Sequence, residues 1–191
     1  EFAHQLIEPE QGRFDWERTD RIVSEAKAQD IRILGLISST AKWNSTRPDA
    51  ADYYSYAPRD HKALHAYVTA VVNRYKDYIK YWEIWNEPDG GFASESAWDF
   101  AAAQKAAYLG FKAGAPSVKV MQGGFCLHPL IPYYQTFFDN DAAGYFDILS
   151  FHTYRPVANY PVMVRDIRDM LARNGAAGKP LWFTESGTDS E

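Results

Sequence analysis

The sequence has little cysteine, no long apolar run and no block of one charge, and each shortage removes a class of protein. Cys126 is the only cysteine, so no disulfide can form within the chain, and the redox compartment stays open. No apolar run approaches the roughly 18 residues that a membrane helix needs, and the start of the chain lacks a charged region followed by an apolar stretch. A membrane is therefore not an expected partner; because the sequence starts at Glu1 rather than Met, export is left open. The formal net charge of −5 comes from acidic and basic residues that are interspersed, so there is no basic stripe to neutralise a phosphate backbone. Nucleic acid is not an expected partner either. No glycine pattern of a dinucleotide site or a P-loop follows an apolar run, and Gly123-Gly124 is too short a signal to stand in for one.

What is present is apolar and aromatic. A chain of 191 residues with 46% hydrophobic content can bury one substantial core, and the length favours a single domain, residues 1–191. Aromatic residues make up 16%, with six Trp and thirteen Tyr. They suit stacking platforms for flat ligands and, equally, a large core.

The apolar spacing predicts four helices. Leu64, Tyr67, Val68, Val71, Val72 and Tyr75 give the clearest stripe at i, i+3, i+4 spacing. Similar stripes run through Thr19, Ile22, Val23 and Ala26, through Phe100, Ala103, Ala107 and Phe111, and through Val164, Ile167 and Leu171. Between them, Ile31 to Ile37, Tyr81 to Trp85, Val118 to Met121, Phe146 to Phe151 and Pro180 to Phe183 are short enough, and β-branched or aromatic enough, for buried parallel strands. Alternation of strand and helix places the chain in the α/β class with βα units. It does not by itself separate a barrel from a doubly wound sheet. The segment Asn44 to Arg59 reads as one long loop after a strand, the place where binding residues concentrate.

Two of these strands end on carboxylates. In Tyr81-Trp82-Glu83-Ile84-Trp85-Asn86-Glu87-Pro88 the proline disfavours helical geometry at Glu87 and stops the strand. In Pro180-Leu181-Trp182-Phe183-Thr184-Glu185-Ser186-Gly187 an apolar run again ends on a glutamate followed by turn residues. Carboxylates at the C-terminal ends of barrel strands face the mouth where active sites of that fold form. A pair of them suits glycosidic cleavage: one protonates the departing oxygen while the other attacks or stabilises an oxocarbenium-like centre. Period-2 alternation sets Glu83, Trp85 and Glu87 on one face with Glu83 deeper, where a buried carboxylate needs a structural hydrogen-bonding partner.

These segments resemble glycoside hydrolase clan A, in which an Asn-Glu pair ends strand 4 and a second Glu ends strand 7; Trp85-Asn86-Glu87-Pro88 is the most specific match. Glu8-Pro9-Glu10-Gln11-Gly12-Arg13-Phe14-Asp15-Trp16 looks like the loop and helix start after the clan's strand 2, and Asp147 to Tyr154 looks like its strand 6. The resemblance implies a (β/α)8 TIM barrel, with strands 3 to 7 recognisable here and strands 1, 2 and 8 absent. It implies a retaining mechanism with Glu87 as acid/base and Glu185 as nucleophile, Asn86 on the sugar 2-hydroxyl, and His152 and Tyr154 lining the sugar site and orienting the nucleophile. It calls for a carbohydrate substrate and no metal or organic cofactor. The wording around Glu87 and the Trp43 loop is closest to family 39 and related β-xylosidases, with family 5 left open. A non-catalytic carbohydrate-binding barrel derived from such an enzyme is the alternative. A lyase or aldolase would call for a Schiff-base lysine or metal ligands at strand ends, and Lys80 and Lys119 lie at strand starts.

Other features carry less. Trp43 follows a strand and is a candidate for stacking on a sugar ring, whereas Trp98 reads as packing at a helix start. His61 and His65 have the i, i+4 spacing of helical zinc ligands, but Lys62 stands where a zincin has Glu and no third ligand is evident. Asn44-Ser45-Thr46 matches a glycosylation triplet and is assigned no function.

Overall fold

The structure is a computed structural model that describes residues 1–94 and 96–187. Six strands, β1 (Phe2–Ala3), β2 (Leu34–Ser38), β3 (Tyr81–Asn86), β4 (Lys119–Gly124), β5 (Leu149–Thr153) and β6 (Leu181–Ser186), alternate with helices α1 (His4–Ile7), α2 (Glu17–Ala28), α3 (His61–Tyr75), α4 (Ala97–Gly114), α5 (Pro132–Asp139) and α6 (Tyr160–Arg173). All strand pairs are parallel, β1 to β4 in one sheet and β5 with β6 in another. Parallel bridges Met121 to Ile148 and Phe125 to Phe151 join the two. Spatial order therefore follows chain order from β1 to β6 with no reversal. A doubly wound sheet has a reversal point and a barrel does not, so the strand order supplies the distinction that alternation left open.

β1 was not among the five expected strands. Two residues carry no periodicity, yet Phe2 and Ala3 pair with Ile37 and Ser38. The other strands start up to three residues later than the apolar runs and end one to three residues beyond them. Ile31, for example, is exposed ahead of β2, because the first apolar residues of that run form the approach rather than the ladder. The extension at the ends places Asn86, His152 and Glu185 inside their strands.

The four expected helices form, and α1 and α5 are additional. The inward face of α3 is the expected stripe, with Tyr67, Val68, Val71 and Val72 fully buried, and Asp60 caps its first turn through Lys62 N at 2.8 Å. Two stripes differ in detail. Ile22 of α2 is exposed while Thr19 and Val23 face inward, and in α6 the buried residues are Met163, Ile167, Met170 and Leu171, with Val164 half-buried. Unbranched Met fills irregular gaps, so the buried face of α6 runs through Met163 and Met170 beside the Ile167 and Leu171 of the stripe. The core is continuous from Phe2 through Trp82, Phe111, Phe125 and Phe137 to Phe151 and Leu171.

Candidate active site

The site forms where β3, β5 and β6 end. His152 on β5 is almost fully buried, and its Nδ1 lies 2.9 Å from Glu87 Oε1 and 3.5 Å from Glu185 Oε2. One donor atom from each of these three side chains lies within 4.8 Å of the others. The Tyr154 hydroxyl donates to the second oxygen of Glu185, and the neighbouring carboxylate raises the phenol's pKa. Glu185 is the more open acid, with 43% of its side chain exposed against 15% for Glu87. Among the described residues this trio is the one cluster whose donors are close enough for a metal ion. Two carboxylates sharing one imidazole contact are equally what an acid and nucleophile pair needs.

Local backbone geometry places these groups. Trp85 and Glu87 both take left-handed conformations, φ 67° and 41°, which cost of order 1–3 kcal/mol each and persist where the surroundings over-determine them. The turn at Trp85 interrupts the period-2 alternation. Trp85 is buried and, with Phe100 and Ala103 of α4, lines a small cavity. Opposite it, a Cβ on Gly123 would meet the Ile84 carbonyl at 2.4 Å, and one on Gly124 would meet His152 Nε2 at 2.0 Å. Gly123-Gly124 thus gives room to the kinked strand on one side and to the imidazole on the other. The doublet was visible in the sequence, but only the structure shows what fills the space.

Beneath the pair lies a buried polar layer. Glu83 accepts a hydrogen bond from Ser150 Oγ, Thr184 Oγ1 lies 3.4 Å from the same carboxylate oxygen, and the two hydroxyls are 2.6 Å apart. Burial raises the Glu83 pKa, partly opposed by the Ser150 hydrogen bond and by His152. The expected structural partners of Glu83 are therefore hydroxyls on β5 and β6. Gln122 on β4 joins the same layer, donating to the Ser150 carbonyl and accepting from Ser150 N at 3.0 Å. The sequence offered no signal for it. Asp89 accepts from Leu127 N at 2.8 Å and Tyr134 OH at 2.6 Å, tying the loop after β3 to the loop after β4. Burial, with Asp89 and Glu87 nearby, pushes the Cys126 thiol up to about 12, which leaves it protonated and unreactive at neutral pH.

The expected site residues thus fall into two groups. Glu87, Glu185, His152 and Tyr154 come together, and Asn86 ends β3 beside them. Trp43 does not join: its indole N–H donates to the Glu8 carbonyl at 2.9 Å, and its ring meets His4 edge-on. His61 and His65 are in no donor cluster among the described residues.

Comparison with known proteins gives the lineage. Endo-1,4-beta-xylanase C of Paenibacillus barcinonensis is 30% identical over a stretch covering 48% of this chain and 9% of that protein. A family 39 glycoside hydrolase from Bacteroides cellulosilyticus WH2 superposes with a TM-score of 0.76 at 18% identity, covering 98% of this chain and 42% of that one. A glucosidase from Croceicoccus marinus gives 0.75 at 18% identity, covering 96% and 40%. At such identities the structures show a shared fold, that of the TIM-barrel glycosidases, and the chain spans well under half the length of each of these three proteins. The sequence-level family assignment comes from the model described as glycosyl hydrolase family 10, which matches residues 2–111 and so takes in Asn86 and Glu87. With more than half of its residues inside that match, this chain, a clan A member as its Trp-Asn-Glu-Pro strand implied, belongs to glycosyl hydrolase family 10.

Proposed function

We infer that the chain carries the catalytic pair of a retaining β-glycosidase acting on xylan-type substrates. The observation that supports this most directly is the spacing of Glu87 and Glu185, whose nearest carboxylate oxygens fall within 4.8 Å with His152 facing both. Retaining enzymes hold their carboxyl groups about 5–5.5 Å apart, whereas inverting ones need roughly 6.5–9.5 Å to admit water. The family 10 match and the xylanase relative support the substrate class.

In this reading Glu87, the less exposed acid, gives its proton to the glycosidic oxygen as Glu185 attacks the anomeric carbon. The C–O bond breaks, the alcohol leaves and a glycosyl ester forms on Glu185. Glu87, now a carboxylate, takes a proton from water as the water attacks the same carbon, and Glu185 departs with the bonding pair. Tyr154 and His152 hold the nucleophile in line through its two oxygens, and Asn86 takes the 2-hydroxyl of the sugar under attack. No step needs a metal.

The test is turnover of a panel of aryl β-glycosides, xyloside and glucoside included, by the chain and its Glu185→Gln variant, followed by azide addition to a Glu185→Ala variant. Loss of turnover in the first variant and recovery as a glycosyl azide of inverted configuration in the second are expected. Turnover indifferent to Glu185 overturns the reading. Sugar binding without turnover on any substrate transfers it to a binding barrel.

A further inference from the structure

β6 is irregular next to its glutamate. Phe151 pairs with Phe183, but the next residue of β5, His152, pairs with Glu185, so Thr184 is an extra residue without a partner in the β5 register. In a regular strand successive side chains alternate between the two faces. Phe183 takes the helix side, against Phe151 and the Tyr160 ring of α6, and Thr184 takes the inner side, at Ser150 and Glu83. Strict alternation would send Glu185 back to the side of Phe183. The bulge cancels that step, and Glu185 follows Thr184 inward to reach His152 and Tyr154. Bulges re-aim side chains in this way beside active sites, and they are rare between parallel strands.

An extra residue in a ladder has to be held by something other than the ladder, and Thr184 is held by its side chain. Its hydroxyl lies 2.6 Å from Ser150 Oγ and 3.4 Å from Glu83 Oε1. Ser150 Oγ donates its one proton to Glu83, which leaves it to accept from Thr184. The chain of hydroxyls ends on a carboxylate that is only 5% exposed, a burial that is costly without such partners. Glu83 itself sits on β3, which is paired on both sides, with β2 and β4. We infer that Glu83 and Thr184 are positioning residues for the nucleophile: through the two hydroxyls, β3 fixes the bulge that turns Glu185 toward the sugar carbon. This rests on the glycosidase reading. It adds that the strand carrying the acid/base, Glu87, also sets the aim of the nucleophile two strands away from its own ladder.

The experiment times inactivation by the dinitrophenyl β-glycoside of 2-fluoroxylose in the chain and in its Thr184→Val, Ser150→Ala and Thr184→Ser variants. The leaving group departs as a phenolate without a proton from Glu87, and the ester formed on Glu185 persists, so the rate reads attack by Glu185 alone. In Thr184→Val, which keeps the shape and loses the hydroxyl, the inactivation rate constant is expected to fall about 10²-fold, the scale of a reacting atom misplaced by about 1 Å. Ser150→Ala should fall as well, and Thr184→Ser, which restores the hydroxyl, should recover most of the rate. Rates unchanged in both Thr184→Val and Ser150→Ala overturn the inference, as does a Thr184→Ser variant no better than Thr184→Val. If the unaltered chain is neither inactivated nor active on aryl glycosides, the glycosidase reading fails, and the aim of Glu185 is read from the Tyr154 phenol, whose pKa the Glu185 carboxylate raises. Followed by NMR, that pKa should drop toward the ordinary phenol value in Thr184→Val as Glu185 turns away; an unmoved phenol overturns the positioning role.

Discussion

At the scale of single residues, the site depends on space as much as on functional groups. Gly124 has no side chain where the His152 ring lies, and a Cβ there would stand 2.0 Å from Nε2. Gly124→Ala is therefore expected to push the imidazole off both glutamates, lowering kcat by roughly 10²-fold, the scale of one lost preorganised contact. Overpacking should cost about 1–3 kcal/mol as well, and aryl glycoside kinetics read beside a thermal melt check both. Tyr154→Phe keeps the ring and removes the hydrogen bond to Glu185. Its expected signature is a drop in kcat of roughly 10²-fold with the melting temperature unchanged, since the side chain is mostly exposed. A parallel loss of stability would show that Tyr154 is structural instead.

At the scale of elements, the polar layer under the site sets a pH dependence. Burial raises the pKa of Glu83, so the folded chain holds that proton more tightly than the unfolded chain does. The associated stability is complete below the unfolded carboxylate pKa and is lost as pH rises through the higher folded value. Glu83→Gln, which keeps an acceptor for Ser150 and carries no charge, should flatten that decline, and melting temperatures across the acidic to neutral range would show it; identical slopes would mean the shift is not expressed. Much at this scale was legible in advance. The α3 stripe follows from a period of 3.6, and the two strands that carry Glu87 and Glu185 at their ends follow from short apolar runs, which a sequence displays directly. β1 was not legible, because two residues have no period and its pairing with Ile37 and Ser38 is a long-range choice. Nor was Gln122, since a glutamine looks the same in sequence whether it faces solvent or bonds a neighbouring strand from within the core. The commitment of Trp43 to the Glu8 carbonyl was hidden for the same reason. Tertiary contact, and no local preference, decided each of these.

At the scale of the whole molecule, strand order equal to chain order makes an arc whose outermost strand, β6, leaves Trp182 and Phe183 more than a third exposed. An apolar strand edge of this kind templates association. The chain on its own is expected to show concentration-dependent self-association by sedimentation, reduced by Trp182→Lys; a strictly monomeric chain at high concentration would contradict this. Phe111→Ala, in the fully buried centre of α4, should cost about 3–5 kcal/mol, read from denaturant midpoints. The same arc has a seam. Between β4 and β5 the backbone bonds sparsely, at Ile148 N to Val120 O, Phe125 N to Ser150 O and His152 N to Phe125 O, and side chains add the Gln122 amide on Ser150, the Ser150 hydroxyl on Glu83 and His152 on Glu87. Asn86 and Glu87 stand on one side of that seam, and His152, Tyr154 and Glu185 on the other. The gap between the two glutamates is therefore a gauge held by a few separate links and no continuous ladder. In the proposed mechanism, warming or pressure that stretched those links would spread the two acids and put attack and protonation out of step.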